Sequence, residues 1–188
     1  MFENFRLNML NREAASPKNK PEEIVKSLDI KDGSIIADIG SGGGYFTLKF
    51  AKEAGEKGKV YAVDTNQKSL DYIADKFKKE GLNNIEIVLA EEKALSLPEK
   101  VDLIFLRNVF HHLPEQTEYF ENIKQHLKSE GKIAIIDYNK RGFSFTGVFG
   151  HYTPVDVLIE KMEKAGFHVL EKYDFLPDQL FIIFKMKN

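Results

Sequence analysis

The chain has 188 residues, with 27 Lys and Arg against 29 Asp and Glu, a formal net charge of −2. A charge so mixed and so small lacks the basic footprint of a nucleic-acid binder, so no nucleic-acid partner is expected. An apolar fraction of 43% and a charged fraction of 30% are ordinary for a globular protein, and the length suits one domain with a full core. The absence of cysteine excludes disulfides, thiolate metal sites and thiol nucleophiles. The start, Met1 to Arg6, lacks the basic and apolar regions of a signal peptide. No uncharged apolar run approaches the ~20 residues that span a bilayer. A soluble, cytoplasmic protein with no membrane partner is therefore expected.

In chain order, Phe2, Phe5 and Met9 recur at spacings of three and four, which predicts a helix, followed by a polar stretch from Asn11 to Lys20. Residues 1–20 read as a flap over an active-site mouth, a contact with another subunit, or a frayed end; residues 21–188 read as the domain. Ile24, Val25 and Leu28 mark a helix. Residues 34–39 form a short β-branched run that ends at glycines. Thr47, Phe50, Ala51 and Ala54 mark the next helix, and residues 59–64 the next strand. Leu70, Ile73 and Phe77 then give a helix stopped by Gly81. Strands follow at 84–89 and 101–107. Tyr119, Phe120, Ile123 and Leu127 predict a helix, and 132–138 a fifth strand. Thr153-Pro154-Val155-Asp156 opens a helix with a capping hydroxyl and an early proline, carried on by Leu158, Ile159 and Met162 to Gly166.

Short apolar strands alternating with amphipathic helices predict a mostly parallel sheet with helices on both faces. The end departs from that pattern. Residues 168–175 and 179–186 are separated only by Leu176-Pro177-Asp178, too few for a crossover, so they form an antiparallel hairpin.

The segment Asp38-Ile39-Gly40-Ser41-Gly42-Gly43-Gly44 leaves the first strand and opens a helix. Glycines there let the backbone approach a ligand closely, and the helix N-terminus suits a carboxylate or phosphate. The dinucleotide fingerprint fails, because its third glycine falls on Tyr45. The P-loop fails for want of Gly-Lys-Ser/Thr. Asp38, at the strand end, can accept from a cationic amino group or orient water. Asp64 closes the second strand, where an acid can accept both hydroxyls of a ribose. A nucleoside carrying an amino acid fits these together.

From about Ile35 onward the chain resembles a class I S-adenosylmethionine-dependent methyltransferase of the small-molecule type. The residues that carry the resemblance are Ile36–Phe46, the strand ending at Asp64, Val101–Leu113, Gly131–Asp137 and the final hairpin. The resemblance implies a Rossmann-like fold with a seven-stranded, mostly parallel sheet. It also implies S-adenosylmethionine as cofactor, S-adenosylhomocysteine as product and a small-molecule methyl acceptor. The glycine turn (Gly40, Ser41, Gly42, Gly44, Tyr45) would hold the methionine part, and Asp64 with Thr65 the ribose. An acid after the third strand would meet the adenine amine. Leu89-Ala90-Glu91-Glu92-Lys93-Ala94 stands where Gly-Asp-Ala is usual, so Glu91, or Glu92, takes that role or both are solvated loop residues.

Arg107 and Asn108 leave the fourth strand at the ligand edge as candidate cofactor-binding residues, and Asn108 is the polar group suited to positioning cofactor or acceptor. His111 and His112 are candidate general bases, or residues that shape the loop beneath the cofactor. Adjacent side chains diverge and no third ligand is evident, so no metal is expected. Residues 139–152, rich in glycine and aromatics, read as a lid over an apolar or aromatic acceptor or as a loop packed on the sheet edge. Tyr138 and His151 are further base candidates there. Asn108-Val109-Phe110-His111 in place of Asn/Asp-Pro-Pro-Tyr disfavours adenine and glutamine-amide acceptors, and the missing thiols disfavour arsenite. A non-catalytic module that binds the cofactor or its product, and a nicotinamide-dependent oxidoreductase, remain as alternatives. Monomer and homodimer are both open.

Overall fold

A computed structural model describes residues 2–91, 93–139 and 153–187. The elements run α1 (Phe2–Ala14), α2 (Pro21–Ser27), β1 (Ile35–Ile39), α3 (Tyr45–Ala54), β2 (Lys59–Asp64), α4 (Gln67–Lys79) and β3 (Ile85–Leu89). They continue β4 (Val101–Arg107), α5 (Gln116–Ile123), β5 (Leu127–Tyr138), α6 (Val155–Lys164), β6 (Phe167–Tyr173) and β7 (Gln179–Met186), with short 3₁₀ turns at Pro17–Asn19, Phe110–His112 and Lys124–His126. The fold is a seven-stranded mixed sheet with helices, Rossmann-like in its βα alternation. By internal packing the chain divides into Met1–Glu91 and Glu92–Asn188.

In the first unit the strands lie in the order β3-β2-β1, all parallel, with Ile36 opposite Val60 and Val60 opposite Ile85. Val60, Tyr61, Ala62 and Val63 are buried. A strand covered on both faces selects an unbroken apolar run, which is why β2 is so legible. Asn66 caps α4, its side chain accepting from the Lys68 N–H at 3.0 Å. Leu70 and Ile73 turn inward, and Lys76, Lys78 and Lys79 sit in the last turn against the negative helix end. Gly81, at φ 69°, takes the left-handed conformation that ends the segment.

In the second unit the order is β4-β5-β7-β6. β4 and β5 are parallel, whereas β7 is antiparallel to both β5 and β6. The hairpin is thus as its short connection predicts. Ile135 faces Ile182 and Ile133 faces Phe184 across β5 and β7, and all four are buried. Each such side chain contributes roughly 1.5–3 kcal/mol of burial.

Two expectations need correction. Leu127 does not extend α5; the helix ends at Ile123, and Leu127 is the first residue of β5. Its apolar spacing imitates a further helical turn because the 3₁₀ turn between them keeps a similar period. Thr153 does not cap α6. Its hydroxyl donates instead to Asp137 at 3.2 Å, and Pro154 holds the cap position without a side-chain bond.

Candidate functional site

The glycine turn of the first unit is built from three left-handed residues, Gly40 (φ 71°), Gly42 (φ 53°) and Gly44 (φ 76°). A Cβ on Gly44 would stand 2.8 Å from Ile73 Cγ1, so space and backbone both demand glycine there. The N–H groups of Gly40 and Ser41 donate to Val63 O at 2.8 and 3.0 Å, which ties the turn to the end of β2. Asp64 completes the tie. Its Oδ2 accepts from Gly42 N and its Oδ1 from Asn66 N, each at 2.9 Å. Each carboxylate oxygen keeps a second lone pair that can accept from a ligand hydroxyl. Thr65, next in the chain, is exposed, as is Glu91 just beyond the end of β3.

Asp38 is buried and accepts the Thr47 hydroxyl at 2.5 Å. Burial raises its pKa from 3.8 to about 7; the Thr47 hydroxyl opposes the rise, and the charge of Asp64 adds to it. A carboxyl so poised ionises readily when a cation arrives. Ser41 Oγ is buried and, among the described residues, has no hydrogen-bond partner. Tyr45 opens α3 with Lys49 5.7 Å from its ring centre. An orphaned hydroxyl, a carboxyl awaiting a cation and a cradle that Cβ atoms would fill together fit an amino-acid nucleoside at the carboxyl ends of β1 and β2.

The second unit gathers another cluster at the carboxyl ends of β4 and β5. Asn108 follows β4 in the left-handed region (φ 57°) while its N–H still donates to Ile136 O at 2.8 Å. Its side-chain Oδ1 accepts from Gln179 Nε2 at 2.5 Å, and Gln179 Oε1 in turn accepts from Arg107 Nη2 at 3.4 Å. Gln179, buried at the start of β7, thereby fixes which face of the Asn108 amide is presented. Asn tolerates positive φ better than most residues, and a strained non-glycine residue at a strand end is a mark of functional sites.

The turn Phe110–His112 is anchored by buried Phe110, whose ring stacks on Phe120 at 5.6 Å. It delivers His111 to Asp137. Asp137 is fully buried, with Oδ1 2.6 Å from His111 Nδ1 and accepting Tyr138 N at 2.8 Å. Its Oδ2 accepts His111 N at 3.0 Å and the Thr153 hydroxyl at 3.2 Å. A carboxylate opposite Nδ1 makes that nitrogen the donor, so the basic nitrogen of His111 is Nε2.

Of the residues singled out from sequence, Asp38, Gly40, Ser41, Gly42, Gly44, Tyr45, Asp64, Thr65 and Glu91 fall in the first unit around the turn. Arg107, Asn108, His111, His112 and Tyr138 fall in the second, with the Tyr138 ring 6.1 Å from His111. Glu92, His151 and the loop residues 140–152 lie outside the described residues. One expectation fails: the adjacent histidines do not diverge, because the 3₁₀ turn brings their ring centres to 3.9 Å. Among the described residues there is no group of three or more His, Asp or Glu able to hold a metal, nor a helix long and apolar enough to cross a membrane. Sequence reasoning missed the roles of Asp137, Gln179 and Thr153. An acid at the end of the apolar run Ala134-Ile135-Ile136 was the available signal for the first.

Residues 30–170 match a family model described as a methyltransferase domain. The chain is 27% identical over 127 residues to an (S)-coclaurine N-methyltransferase of Thalictrum flavum subsp. glaucum, covering 68% of this chain and 34% of that protein. It is 29% identical over 119 residues to a demethylmenaquinone methyltransferase of Lactobacillus johnsonii, covering 62% of this chain and 48% of that one. The chain thus spans a third to a half of the length of these curated relatives. Among solved structures, a SAM-dependent methyltransferase from Aquifex aeolicus superposes with a TM-score of 0.85 at 28% identity, covering 95% of each chain.

Proposed function

The chain belongs to this methyltransferase-domain family, and from that premise we propose that it transfers a methyl group from S-adenosylmethionine to a small, apolar or aromatic acceptor. The observation that carries the reading is the glycine turn locked onto Asp64 at the ends of β1 and β2. When bound, S-adenosylmethionine supplies a methyl group already activated on a sulfonium. The turn and the N-terminus of α3 hold the methionine end, Asp38 meets its ammonium, and Asp64 with Thr65 holds the ribose. Glu91 serves the adenine amine.

The residues of this chain then have two tasks, alignment and proton removal. Asn108, its amide fixed by Gln179, positions the acceptor. His111, held in one tautomer by Asp137, takes the acceptor's proton where the nucleophile carries one. Arg107, His112 and Tyr138 are neighbours of these two residues within the second unit. The acceptor class rests on the aromatic loop 139–152, read from sequence, and on the quinone precursor in the name of one relative. A non-catalytic binding module needs no fixed His111 tautomer, and a nicotinamide enzyme has no support in the methyltransferase-domain match over residues 30–170.

The test is transfer of isotopically labelled methyl from S-adenosylmethionine to a panel of phenols, hydroquinones and amines. The reading expects a labelled product with at least one class and equimolar S-adenosylhomocysteine. Slow cofactor hydrolysis alone, with product retained on the protein, would replace it with the binding-module reading.

A further inference from the structure

The N-terminal helix α1 lies directly against the glycine turn, and Gly43 records how closely. Gly43 is not among the glycines at positive φ, so its backbone does not require glycine. Space does. A Cβ there would meet Asn11 Oδ1, and would lie 2.6 Å from both Asn11 Cγ and the Leu7 carbonyl oxygen. Leu10 Cδ1 stands 3.5 Å from where a Gly42 Cβ would be. The docking is secured outside the turn as well. Asn66 Nδ2 donates to Glu3 Oε1 at 3.1 Å and the Tyr72 hydroxyl to Asn8 Oδ1 at 2.7 Å.

Beside the Leu10 side chain, α1 brings a polar group to the turn. Phe2, Phe5 and Met9 point away, at 94%, 64% and 55% exposure, whereas Asn11 is only 9% exposed. Its Nδ2 is buried and, among the described residues, finds no hydrogen-bond acceptor. A buried donor without a partner costs about 1–3 kcal/mol, and Ser41 Oγ, in the turn itself, stands in the same condition. Two orphaned polar groups flanking one glycine turn are what a site looks like before its ligand supplies the missing partners. Nδ2 can only donate, so the group it lacks is an acceptor. At a helix N-terminus the favoured acceptor is an anion.

We infer that Asn11 is a ligand-binding residue, its amide N–H donating to the carboxylate of the amino-acid end of the nucleoside held by the glycine turn. Resting on the cofactor reading above, this makes α1 a working wall of the site rather than an appendage. Gly43 is then the residue that lets the wall close.

Calorimetric titration of wild type, Asn11→Ala and Gly43→Ala with two ligands tests it: S-adenosylhomocysteine, and 5′-methylthioadenosine, which lacks the amino-acid end. Asn11→Ala should weaken S-adenosylhomocysteine about 10- to 100-fold, the range for a hydrogen bond to a charged group, and leave methylthioadenosine within about twofold. Its ligand-free melting temperature should not fall, because the substitution removes an unsatisfied donor. Gly43→Ala, which pushes α1 off the turn, should repeat the selective loss. Unchanged S-adenosylhomocysteine affinity in Asn11→Ala, or equal losses for both ligands, would overturn the assignment. A wild type that binds neither compound would overturn the cofactor reading instead.

Discussion

The substitution Asp38→Asn separates what this carboxyl costs the fold from what it does for a ligand. Burial raises its pKa from 3.8 to about 7. Between those values the folded chain keeps a proton that the unfolded chain has released. The group's contribution to stability therefore declines as pH rises through this window and levels off above about 7. At 1.36 kcal/mol per tenfold change in proton affinity, the whole decline amounts to roughly 4 kcal/mol. The amide in the variant keeps an oxygen for the Thr47 hydroxyl but cannot ionise. Urea unfolding of both ligand-free proteins at pH 4, 6 and 8 should show the variant's advantage widening by roughly 4 kcal/mol across the series, with most of the gain before pH 7. The same variant should bind S-adenosylhomocysteine more weakly, because no carboxylate awaits its ammonium. Parallel pH profiles for the two proteins would refute the reasoning, since they would mean that Asp38 ionises in the fold as it does in water.

Asp64→Ala removes the acceptor shared by Gly42 N and Asn66 N together with the ribose contacts. S-adenosylhomocysteine affinity measured by calorimetry should fall at least about 100-fold; a change under about threefold would deny Asp64 that role. Asp137→Asn leaves the volume but weakens the hold on the His111 tautomer. The kcat should drop about 100-fold or more while cofactor affinity holds, and an unchanged kcat would make the pair structural only. Gly44→Ala forces a left-handed alanine against Ile73 and should cost about 2 kcal/mol or more, seen as a melting temperature lower by roughly 4–8 °C.

The parallel strands were readable because burial on both faces demands unbroken apolar runs, as in Val60 to Val63. The hairpin was readable because three residues cannot make a crossover. The glycine turn carried its own signal, since positive φ at positions 40, 42 and 44 leaves few alternatives to glycine. Roles that depend on which strands become neighbours were not readable. Gln179 reaches Asn108 only because β7 pairs with β5 so that Gln179 faces Tyr138. Asp137 collects His111 and Thr153 from segments 26 and 16 residues away. Gly43 is a further case. Its neighbours in sequence look like the reason for its identity, but Leu7 and Asn11, from a helix far earlier in the chain, supply it.

Parallel calorimetric titrations of the intact chain with S-adenosylmethionine, S-adenosylhomocysteine and NADH test the central claim most directly. The account predicts dissociation constants on the order of micromolar for the first two and no heat from the third. Binding of NADH with silence from both sulfur nucleosides would contradict it.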